Sequence, residues 1–144
     1  MSRYLLLVLA LAPLAASGCA SHEASAAPNP PATPDNQALC VQVFQHARTC
    51  TDAFIPALVD SRARNDQPAG IAEAVRSDRD GVIAQAKTEW ATDSTDDAIA
   101  GNCHQLATVA DPGQVDTARG CLSQADCAGF TACVIPVFEK HFAK

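Results

Sequence analysis

Nowhere does this chain hold the run of about 18 or more apolar residues that a membrane-spanning helix needs. Its conspicuous apolar run, Leu5–Leu14 (LLLVLALAPL), is ten residues long. As a helix it would cover roughly 15 Å, and Pro13 would break it. That excludes a permanent membrane helix there. Aromatic residues are scarce too, with one Trp, one Tyr and five Phe, so large rings cannot fill a core by themselves. Positive charge is the third scarcity. Ten Lys plus Arg stand against sixteen Asp plus Glu, a net of −6. An acidic surface argues against nucleic acid as a partner and against electrostatic attachment to anionic membranes.

Catalytic signatures are missing as well. No G-x-S-x-G occurs, so a serine hydrolase elbow has no candidate. No C-x-x-C occurs, which excludes the simplest thioredoxin-like chemistry. Cys103-His104 lacks the preceding cysteine of a haem-attachment motif. Asp78-Arg79-Asp80-Gly81-Val82-Ile83 mimics the middle of a calcium loop, but Arg76 and Lys87 fall where such a loop requires oxygen ligands. No cofactor is expected.

What is present begins with an address. Arg3 and the α-amine form a short positive end before the apolar run, and small residues follow it; residues 1–18 read as an export signal peptide. The segment Ala16-Ser17-Gly18-Cys19 resembles the bacterial lipobox, with Ala16 where leucine is commonest. The resemblance implies a bacterial lipoprotein whose Cys19 carries a diacylglyceryl thioether and an acylated amine. Cleavage by an ordinary signal peptidase would instead leave a soluble exported protein with a stray thiol. Ala20, in place of the aspartate typical of inner-membrane retention, implies the outer membrane or cell surface. The membrane is then a partner through lipid on Cys19, several acyl chains making the attachment effectively permanent.

Cysteine parity points to the same residue. Seven cysteines is an odd number for an exported chain; setting Cys19 aside leaves Cys40, Cys50, Cys103, Cys121, Cys127 and Cys133 as a disulfide set. Residues 19–38, the lipidated cysteine and an Ala/Pro-rich stretch without large apolar side chains, read as a flexible tether. Residues 39–144 read as one disulfide-stapled domain. Without Arg3 the mature chain holds nine basic residues against sixteen acidic ones, a net of −7.

The domain's pattern is helical throughout. Leu39, Val43, Phe44, Ala47, Thr51 and Phe54 recur at the helical period. Further helices are expected over Pro56–Asn65 and Pro68–Trp90, the latter bent or split near Gly81. Asp93-Ser94-Thr95 should cap a fourth helix reaching Ala110. After a turn at Asp111-Pro112-Gly113, a fifth helix runs to Ser123. A last one starts at Asp126, and Pro136 should kink or restart it. The expected fold is an all-α, disulfide-stapled bundle of about five to six short helices.

Helical geometry constrains the bonds. Cys40 and Cys50 are about 15 Å apart along one helix, and Cys127 and Cys133 about 9 Å, too far for either pair to bond. Cys103 and Cys121 lie nine residues to either side of Pro112, which in an antiparallel hairpin places them opposite each other. Antiparallel first and last helices would then give Cys40–Cys133 and Cys50–Cys127. The Cys40-x9-Cys50 spacing looks like half of a twin CX9C hairpin whose second half is absent. The whole Cys40-to-Phe142 pattern resembles small, uncharacterised cysteine-rich bacterial envelope proteins, a likeness that carries no function.

Histidines His46, His104 and His141 are spread over three helices. His46 and His104 are the candidates for a base or ligand, against the plainer role of surface or boundary residues. Asp93, Asp96 and Asp97 suit a helix start. Together these features point to a non-enzymatic binding or structural module of the envelope, with an envelope protein as partner. The alternatives are a small periplasmic hydrolase using a His/carboxylate pair, or a metal-binding protein.

Overall fold

The computed structural model describes residues 34–107 and 111–142, and they form six α-helices without a strand among them. The helices are α1 (Pro34–Thr49), α2 (Thr51–Arg64), α3 (Ile71–Asp93), α4 (Asp96–Leu106), α5 (Pro112–Cys121) and α6 (Cys127–Phe142). Residues 1–18 and Cys19 lie outside the described part. α1 begins at Pro34, inside the stretch read as tether, with proline's fixed φ suited to a first helical position.

The first periodic run divides at Cys50, earlier than the sequence pattern suggests. Thr49 donates its hydroxyl to the carbonyl of His46 (2.7 Å), and Thr51 donates to the carbonyl of Arg48 (2.6 Å). Side-chain hydroxyls thus add hydrogen bonds to carbonyls of the last turn of α1, where the helical ladder runs out. Cys50 itself leaves helical geometry (φ −100°, ψ 21°). Pro56 consequently lies within α2, not at its start.

α3 starts later than Pro68. Asp66 (φ 45°) and Gly70 (φ 89°) turn the chain, and Asp66 Oδ1 accepts from the N–H groups of Gly70 and Ala72 at 2.9 and 3.1 Å. A remote carboxylate therefore caps a helix whose own N-cap residue is glycine. The break inside α3 falls at Asp78 (φ −153°, ψ 75°), three residues before Gly81. Asp78 Oδ1 accepts from Gly81 N–H at 2.9 Å, restarting the helix, and a Cβ at position 81 would overlap that carboxylate. Asp78 is thus occupied in capping. Its neighbour Arg79 grips Asp60 through two hydrogen bonds of 2.9 and 2.7 Å.

Thr95 caps α4 through Ala98 N–H, and Asp111 caps α5 through Gln114 N–H. The Asp-Pro-Gly triplet is therefore cap and first turn of a helix. Asp126 accepts from Gly129 N–H at 2.7 Å as α6 begins, and α6 continues through Pro136 without restarting.

α2 packs between α3 and α6, while α1 lies against α4 and α5, and α5 against α6. The core joins Leu39, Val43, Ala47, Phe54, Val59, Phe130 and Val134, with Phe54 and Phe130 wholly buried. The few aromatics are concentrated rather than scattered. Phe44 and Phe54 each contact both Trp90 and Phe138, with ring centroids 5.5–6.1 Å apart. Trp90 donates its indole N–H to Thr51 at 3.2 Å, so its polar edge is satisfied.

Three disulfides staple this arrangement: Cys40–Cys103, Cys50–Cys127 and Cys121–Cys133, with Cα separations of 5.5, 5.3 and 5.5 Å. The pairings Cys103–Cys121 and Cys40–Cys133 are overturned. Symmetry about Pro112 presumes that α4 and α5 lie side by side, but α4 lies along α1 and α5 along α6. The short link between Cys121 and Cys127 makes α5 and α6 the neighbours, and Cys121 meets Cys133 across them. Cys103 is left to α1, where it bonds Cys40.

Candidate functional site

Where α1, the end of α4, α5 and α6 converge, they leave an open cleft of about 130 Å³. Each wall follows from helical spacing. Leu39, Val43 and Phe44 come from successive turns of α1, Val115 and Ala118 from α5, and Val134, Val137 and Phe138 from α6. Leu106 and Ala107 close the α4 side, and the Cys40 half of the Cys40–Cys103 bond lines the wall beside them. Among the described residues, Asn36 and Gln114 bring the polar side chains to the lining. A mostly apolar concavity with a few placed polar groups is how small-ligand sites are generally built.

Phe138 also lines a second, more polar hollow of about 100 Å³, with Ser61, Arg62, Asn65 and Glu139 around it. There the buried Ser61 hydroxyl donates to Glu139 Oε1 at 2.6 Å, and Arg64 donates to the same oxygen at 2.8 Å. The Ser61 bond first, and Arg64 second, hold the Glu139 carboxyl below the usual range for glutamate. Burial pushes the half-buried Arg62 guanidinium down. Ser61 and Arg64, both on Glu139, clamp α2 to α6.

The histidines singled out from the sequence are not brought together. His46 is half-buried, its ring against Phe130 with centroids 4.2 Å apart. His104 is exposed in the last turn of α4. Neither forms an ion pair with a carboxylate among the described residues, and no cluster of three or more His, Cys, Asp or Glu there is placed to hold a metal. The side chain of His141 lies outside the described part.

The acidic residues between α3 and α4 have separate tasks. Asp96 pairs with Arg48 at 2.8 Å, and Arg48 also donates to the Ser94 carbonyl at 2.7 Å, tying α1 to the α3–α4 junction. Asp93 follows Glu89 by one turn, and one oxygen of each is buried without a hydrogen bond. Desolvation, then the Glu89 charge, raises the Asp93 carboxyl above its ordinary value.

The cleft itself was not foreseen. The apolar positions of α5 carry little periodic signal, and α5 contributes only because it folds against α1 and α6 together. No protein-family profile, curated protein or solved structure matches this chain.

Proposed function

We propose that this protein is a lipid-anchored envelope module that binds rather than transforms, taking an apolar group into the cleft between α1, α5 and α6. The cleft carries the proposal: it is apolar and concave, and side chains from four helices shape it. Its size is near that of the ~150 Å³ engineered cavity that accepts benzene. One ring or a short alkyl segment would fit.

Cysteine accounting supports the anchor. The six cysteines from Cys40 to Cys133 pair among themselves, which leaves Cys19 as the odd one of seven, as lipidation there would require. The disulfides also suit an oxidising, exported setting. No helix of the described residues is long and apolar enough to cross a membrane.

Two measurements test this. Intact mass of the protein extracted from membranes should exceed that of the mature polypeptide by the acyl groups, and the Cys19→Ser variant should lose both that mass and the membrane association. With the full chain carrying Cys19→Ser, the neutral apolar dye phenylnaphthylamine should brighten on binding, and Val115→Trp should suppress the effect. An unlipidated Cys19 removes the anchor, and a dye that ignores the protein removes the binding site.

A further inference from the structure

The lining of the cleft begins where the described chain begins. Pro34 opens α1, and Asn36, about 3 Å further along the helix axis, already lines the cleft. Leu39, Val43 and Phe44 continue the wall on the same helix, so α1 runs along the cleft from its first turn. The chain that leads into Pro34 therefore arrives at the cleft. Cys19 stands fifteen residues upstream of Pro34, within roughly 50 Å at full extension. The stretch of α1 from Asn36 to Phe44 is about 12 Å long. A group carried on Cys19 has reach to spare.

The lining also selects among apolar groups. Asn36 and Gln114 are its polar members, and no described residue that lines it is charged. A free fatty acid or alkylammonium brings an ionic head, which would find no counter-charge in that lining. An acyl chain on Cys19 brings none, because its polar end is bonded to the protein itself.

We propose that the apolar group taken by the cleft is the end of an acyl chain on the protein's own Cys19, sheltered there when the lipid is outside a bilayer. This rests on the cleft binding apolar groups and on lipid at Cys19, as argued above, and names the occupant. Free space of about 130 Å³ suits one chain end, not a whole lipid. A bilayer buries every methylene of every chain and the cleft only a few, so the bilayer takes the lipid wherever one is at hand. Away from it, attachment to the same chain gives the acyl end an effective concentration on the order of millimolar, above what a sparingly soluble free chain reaches.

The test uses the full chain made without lipid and caps Cys19 with N-decylmaleimide or N-methylmaleimide, one addition per chain by mass. The methyl-capped chain should brighten phenylnaphthylamine. The decyl-capped chain should bind the dye roughly tenfold more weakly, and by the same factor on dilution. Lengthening the link with Gly and Ser to about four times its span should cut the effective concentration roughly eightfold, the −3/2 power of length, and remove most of the shift. Equal dye binding by the two capped chains overturns the occupant and leaves the cleft as a site. So does a shift that fades on dilution, which assigns the alkyl group to a second copy. Free decanol that displaces the dye as fully at the protein's own concentration makes the occupant a free amphiphile and equally overturns it. Native Cys19 without acyl mass removes the occupant together with the anchor, while the methyl-capped chain still reports on the cleft. A methyl-capped chain that leaves the dye dark takes the proposed function down, and this inference with it.

Discussion

Cys40 and Cys103 are bonded across 63 residues of chain, their Cα atoms 5.5 Å apart, and the bond joins a half-buried sulfur in the cleft wall to a wholly buried one in α4. One covalent link therefore serves both the stability of the domain and the shape of its candidate site.

Loop entropy ranks the disulfides. Closing 63 residues contributes about 4 kcal/mol and closing 12 residues about 3 kcal/mol, taken singly. Replacing Cys40 and Cys103 together by alanine should lower stability more than replacing Cys121 and Cys133, and should also weaken dye binding. Denaturant titration of both double variants, alongside peptide mapping of the native bonds, checks the order. Equal losses, or a mapped Cys103–Cys121 peptide, would reject it.

Phe54 is wholly buried and touches the rings of Trp90 and Phe138. Phe54→Ala should cost about 3–5 kcal/mol, the range for truncating a buried aromatic. Because few large side chains are available to fill the void, little relaxation is expected. A loss under about 1 kcal/mol in chemical denaturation would mean that the aromatic cluster does not organise the core.

Acid should loosen the α2–α6 clamp. The Glu139 carboxyl is held below its ordinary value by Ser61 and then Arg64. Its contribution is fully present above the unfolded value and is lost as pH falls through the lowered folded value. Ser61→Ala removes the first of those donors and should cost about 1 kcal/mol at neutral pH. The difference from the parent should shrink on acidification; a difference that persists unchanged in strong acid would contradict the assignment.

Asp93 should behave in the opposite sense. Its carboxyl is raised by desolvation and by Glu89, so the folded state holds that proton more tightly than the unfolded chain does. Stability from this group rises as pH falls through the raised value. Asp93→Asn should stabilise the protein at neutral pH by about 0.5 kcal/mol, the scale of a like-charge pair one turn apart. Thermal melts of both proteins across the acidic range should converge at low pH.

Gly81 and Asp78 should show coupling. Gly81→Ala places a methyl against the carboxylate that restarts α3, so it should destabilise the parent despite alanine's better helix propensity. With Asp78→Ala already in place, the same change should become neutral or favourable. A double-mutant cycle without that reversal would refute the capping role.

Sequence alone determined the elements of this protein, because their determinants are local. The helical period of Leu39, Val43 and Ala47 specifies an amphipathic helix wherever it docks. Thr95, Asp111 and Asp126 cap N–H groups three residues ahead of themselves. The exclusion of Cys40–Cys50 and Cys127–Cys133 bonds needed only the rise per residue. Even the break at Cys50 had a local signal in the flanking Thr49 and Thr51, whose hydroxyls close the end of α1. Tertiary structure decided what depends on which helices become neighbours. It set Cys40 against Cys103 and Cys121 against Cys133, laid the His46 ring against Phe130, and gathered Phe44, Phe54, Phe138 and Trp90 into one cluster. The cleft belongs wholly to that second group. Its apolar walls come from four helices, and an apolar stripe read along one helix does not say which stripe it will face.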